Sequence, residues 1–156
     1  MKTKELQKLW WDWLGTSERL LRSLYEQTAA LTLRDVARVE RIQPELDTML
    51  AKIQEIDGQA SACAKELAVG MGAEPSLRGL VQVLDKDEAV EVQQLANRVT
   101  VSARNIQHVL DKNRALVENE LNYVNGTLTL IAHTVKKSRG KFTGSATAAV
   151  VVDQAA

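Results

Sequence analysis

The chain has 156 residues, 20 Lys plus Arg against 20 Asp plus Glu, and a formal net charge of zero. That length fits one domain with a substantial core, and the charge balance argues against nucleic acid as the main partner, which would require several phosphates to be neutralised. A charged fraction of 26% with only 4% aromatics suits long solvated helices joined by aliphatic seams.

No uninterrupted apolar run is long enough to span a bilayer, so membrane insertion is not expected. The opening MKTKELQKLWWDWLG mixes charge with bulk instead of forming a secretion signal. The single cysteine, Cys63, has no internal disulfide partner, which suits a reducing cytoplasm.

A first helix is expected from about residue 4 to 31. Leu6, Trp10, Trp13, Ser17, Leu20, Leu24, Gln27 and Leu31 alternate spacings of four and three, keeping one stripe on one side. Trp10, Trp11 and Trp13 cannot all face that stripe. Trp10 and Trp13 are expected to close the end of a bundle, with Trp11 left half exposed. The other reading makes Trp11 part of an aromatic patch for a partner.

Thr32 and Asp35 form a capping-box-like pair, placing the start of a second helix at about residue 33. A loop that short forces an antiparallel neighbour. Val36, Val39, Ile42, Leu46, Met49, Ile53, Ile56, Ala60, Cys63 and Leu67 continue the seam to about residue 69. Pro44 removes one backbone donor; it either kinks this helix near Glu40 or begins a restarted one. The small residues of 58–64 permit close approach of backbones, and Cys63 reads as a small core residue.

Gly70, Gly72 and Pro75 mark a connector, through which a domain-swapped homodimer is conceivable. Ser76 caps a short helix at 77–84. After the charged turn at 85–88 comes a third long helix, 88–137, on the order of 70 Å long at ~1.5 Å per residue. It either overhangs the hairpin or breaks, with Gly126 the expected break. The tail at 138–156 drops helical periodicity and is expected to be mobile.

The last long helix carries the pattern around which the chain is organised. Leu110, Val117, Val124 and Ile131 recur at heptad spacing, as do Val109, Leu116, Tyr123 and Leu130, while Leu121 and Leu128 add a shorter column. Together they span roughly 160°, more than a two-stranded seam requires. Yet Asn113, Glu120 and Thr127 lie along the middle of the arc. Either neighbouring helices satisfy these polar groups and thereby fix register, or part of the face is a groove filled by a partner's amphipathic helix.

Nothing in the sequence supports catalysis. Gly70 and Gly72 lack the rest of a phosphate loop, and His108 and His133 have no companions at metal-ligand spacing. Glu118 and Glu120 point to different faces of one helix, so they make no acid–base dyad. No catalytic residue, cofactor or metal is expected.

The stretch NRALVENELNYVNGTLTLIAH (113–133) resembles the C-terminal helix of the FlgN family of flagellar export chaperones, and RIQPELDTMLAKIQEID (41–57) and SLRGLV (76–81) extend the similarity in order. The resemblance covers roughly residues 5–135 and implies an all-helical protein, in line with the all-α, elongated antiparallel bundle of three long helices with a short connecting helix expected from the periodicity and loops above. It implies a cytoplasmic type III secretion chaperone that binds hook–filament junction subunits (FlgK- and FlgL-like) and presents them to an export gate protein (FlhA-like). By position, the partner-binding candidates are Val109, Leu116, Leu121, Val124, Leu128, Leu130 and Ile131. Tyr123 sits where the family places a tyrosine associated with the export gate, although it also lies in an apolar column. The competing reading is a structural coiled-coil or adaptor protein that self-associates through the same face.

Overall fold

The computed structural model describes residues 2–135, with side chains as far as Gly126; the expected tail lies outside the described residues. The fold is all-α: helices α1 (Lys4–Thr32), α2 (Val36–Gly70), α3 (Leu77–Val83) and α4 (Lys86–Val135), with no strand among the described residues.

α1 is the middle element. Its backbone approaches both α2 and α4 closely, whereas α2 and α4 keep their backbones apart and share a core through side chains. The stripe read from the sequence is the buried side of α1: Leu6, Trp10, Trp13, Ser17, Leu20, Leu24 and Gln27 are all buried, with Trp11 52% exposed. One core cluster joins Trp13, Leu20 and Leu24 to Ile42, Leu46 and Met49 of α2 and to Ile106, Val109 and Leu110 of α4. At the other end Leu6 and Trp10 meet Ala60, Ala64 and Ala68, together with Leu80 and Val92. The alanines, four residues apart on one face of α2, leave room for the bulky side chains facing them.

Hydrogen bonds fix how α1 and α4 lie. Thr3 pairs with Glu88, Ser17 with Ser102 and Thr28 with Asn113, each pair 85 residues apart. A constant separation means that the two helices run in the same direction in one register, over roughly 37 Å. α2 runs the opposite way, as the bond from Gln27 to Gln43 across the short turn requires.

Two sequence expectations at the helix ends change. Thr32 does not cap α2; it is the last residue of α1, and its hydroxyl donates to the Thr28 carbonyl at 2.8 Å. The cap is Asp35, whose Oδ1 accepts from the Arg38 amide at 3.2 Å. Val36, read as a seam residue, therefore sits in the first turn outside the bundle and is 64% exposed. Pro44 lies inside α2, which neither ends nor restarts there. Gly126 lies inside α4 and does not break it, so the 50-residue helix overhangs instead.

The ends of α1 and α2 use one turn geometry. After α2, Gly72 adopts φ 74, the Ala73 amide bonds to the Ala68 carbonyl and the Gly72 amide to that of Val69. After α1, Arg34 adopts φ 56, the Asp35 amide bonds to Ala30 and the Arg34 amide to Leu31. Both are Schellman closures, for which glycine is the usual left-handed residue; a side chain there costs about 1–2 kcal/mol.

Candidate partner-binding surface

The shared register of α1 and α4 determines what α4 leaves uncovered. α1 ends at Thr32, which corresponds to residue 117 of α4, and Val117 is the last α4 residue buried among those described. Beyond about residue 120, α4 continues past the hairpin tip for roughly 22 Å, at ~1.5 Å per residue to Val135.

The broad apolar face is thus divided along the helix. Val109 and Leu110 are buried in the core, and this withdraws Val109 from the candidate surface, because α1 and α2 already cover it. Leu116 and Leu121 are half-buried, while Tyr123 is 58% and Val124 41% exposed. Leu128, Leu130 and Ile131 lie on the same helix, but their side chains are outside the described residues.

The polar residues in the middle of the arc have different fates. Asn113 is buried, and its Nδ2 donates to the Leu24 carbonyl at 3.1 Å and to Gln27 Oε1 at 2.8 Å. Its Oδ1 accepts from the Thr28 hydroxyl at 2.6 Å. Gln27 Nε2 in turn donates to Gln43 Oε1, and Gln43 Nε2 to Asp47, so one chain of hydrogen bonds crosses all three long helices. For Asn113, then, the register reading is the right one. Glu120 lies at the edge instead, its Oε2 3.1 Å from Arg34 Nε in a solvent-exposed ion pair.

The hairpin tip contributes apolar surface that sequence reasoning missed. Leu33 is 71% exposed and Val36 is exposed beside it, flanking Arg34. The Arg34 guanidinium carbon stands 4.9 Å from the centre of the Tyr123 ring, which places the tip alongside the start of the overhang. A hint was available, since Leu33 and Val36 bracket the polar Arg34 and Asp35 that end one helix and start the next. Trp11 is another exposed aromatic, with Arg98 over its ring at 4.8 Å.

Among the described residues no group of three or more His, Cys, Asp or Glu could hold a metal, and no helix is long and apolar enough to cross a membrane. Cys63 is half-buried beside the alanine end of α2, where burial first, then Glu5 and Glu66, push its thiol pKa up and away from the reactive thiolate.

The chain is an all-α bundle of long helices whose final helix runs on past its supports, with apolar side chains facing solvent. Comparison with known families gives it a place: the model for FlgN protein matches residues 1–142, and the chain belongs to the FlgN family of flagellar export chaperones. No curated protein and no solved structure matches it.

Proposed function

We propose that the chain is a cytoplasmic export chaperone for the hook–filament junction subunits, FlgK- and FlgL-like, and that it hands them to an FlhA-like export gate. Membership of a family that serves flagellum assembly by binding hook-associated proteins supports the general role. The observation that carries the site is the exposure of Tyr123 and Val124 beyond Val117, where the bundle stops covering α4.

The binding surface comprises Leu116, Leu121, Tyr123 and Val124, continued by Leu128, Leu130 and Ile131. A terminal segment of the client folds as an amphipathic helix against it, burying apolar area worth ~25 cal/mol per Å² less the cost of ordering that segment. Covering the segment stops it from polymerising early, and the ordering cost keeps affinity low enough for release.

The test is binding by a co-purified junction subunit. Val124→Asp and Leu116→Asp are expected to lower affinity by at least tenfold, since each places a charge on an apolar interface at a cost of more than about 1.4 kcal/mol. Thermal unfolding should change little for Val124→Asp, because that side chain already meets solvent. Unchanged affinity in both variants would move the site elsewhere. A stable oligomer at low micromolar concentration, formed without client through this face, would favour the self-associating adaptor.

A further inference from the structure

Arg34 departs from its local rule in a way that the fold does not require. The closing turn of α2 places Gly72 at the left-handed position, and the equivalent turn of α1 places Arg34 there at φ 56. Both turns make the same pair of backbone hydrogen bonds, so the closure does not depend on the arginine side chain. Glycine would adopt this backbone with less strain.

The side chain leads directly to α4. Arg34 Nε is 3.1 Å from Glu120 Oε2, and its guanidinium lies over the Tyr123 ring at 4.9 Å. Glu120 and Tyr123 are three residues apart, on one face of α4, so a planar guanidinium can pair with one while stacking on the other. Both contacts fall after Val117, where burial against the hairpin has ended. A strained residue whose side chain braces a neighbouring exposed group is a sign that the bracing matters.

We infer that Arg34 is a positioning residue for Tyr123. It holds the ring against the hairpin tip, so that an incoming client helix meets a preset surface made jointly by Tyr123 and Val124 of α4 and Leu33 and Val36 of the tip. This rests on the reading of Tyr123 and Val124 as partner contacts. Fixing the ring before binding lowers the ordering cost at the moment of contact.

Arg34→Gly separates positioning from plain structure. It removes the brace while relieving the backbone strain, so thermal stability stays equal to wild type or rises. Affinity for the junction subunit is expected to fall about three- to tenfold, the range of one exposed ion pair plus one cation–π contact. Arg34→Lys keeps the charge but loses the planar stack, and should recover only part of the affinity. In the free protein, the Arg34 Nε–H resonance should carry an upfield ring-current shift that disappears in Tyr123→Ala. Wild-type affinity in Arg34→Gly, with weakened binding in Tyr123→Ala, would overturn the positioning role and leave the binding site standing. Wild-type affinity in Tyr123→Ala would overturn the positioning role and also remove Tyr123 from the proposed site.

Discussion

Two buried polar residues set the register of the bundle. Asn113 meets three hydrogen-bond partners in a core where any unmet group is costly, and a slip of α4 by one residue would break all three bonds. Asn113→Ala is expected to destabilise by about 1–3 kcal/mol in urea unfolding, because Gln27 and Thr28 lose their shared partner in a dry site. At the other end Glu88 accepts from the Thr3 hydroxyl at 2.6 Å and the Thr3 amide at 2.8 Å, giving α1 the cap that the Thr3 side chain does not supply. These bonds, the hydroxyl's first, hold the Glu88 carboxyl below the usual carboxylate range. A lowered folded value means that the stabilisation is present above the unfolded-state pKa of about 4.3 and is lost as pH falls through the lower, folded value. Unfolding temperatures measured from neutral to acid pH should therefore fall more steeply in wild type than in Glu88→Gln, which has no proton to take up.

At the scale of elements, helix identity was the most legible feature, because α1 and its stripe follow directly from four-and-three spacing. The ends were less legible. Thr32 and Asp35 read as one capping-box-like pair with Thr32 as the cap, and the shift of the cap to Asp35 depended on Arg34 taking a left-handed backbone, which nothing in an arginine announces. That single turn decides whether Val36 belongs to the seam or to the surface. α3 depends on a different local constraint. The Ser76 hydroxyl caps it by accepting from the Gly79 amide at 3.0 Å, and a Cβ at Gly79 would overlap the Glu74 carbonyl. That oxygen belongs to the backbone and cannot rotate away, so Gly79→Ala should cost about 1–3 kcal/mol and loosen the docking of Leu80. Hydrogen exchange over 76–84 would show this as faster opening of α3. Gly126, by contrast, has nothing near its would-be Cβ, consistent with an ordinary position on an overhanging helix.

For the molecule as a whole, the sequence revealed that α4 carries more apolar surface than a hairpin needs, but not where the surplus lies. Periodicity describes angles around a helix; the division occurs along it, and only the shared register of α1 and α4 shows where support ends. The Thr28–Asn113 pair leaves four further residues of α1, and hence cover for α4 to about residue 117. Stability and client binding should consequently be separable by length. A chain ending at Glu120 keeps the three-helix hydrogen-bond chain, both core clusters and the Arg34–Glu120 pair, and loses Tyr123, Val124 and the rest of the overhang. Its unfolding temperature should lie within a few degrees of the full chain's, since a difference of about 1 kcal/mol shifts a domain of this size by about 2–4 °C. Its binding to a junction subunit should be abolished. A truncated chain that still bound its client would place the site on the bundle, with the exposed Trp11 and Arg98 as the next surface to alter, whereas one that failed to fold would mean that the overhang stabilises the helices beneath it.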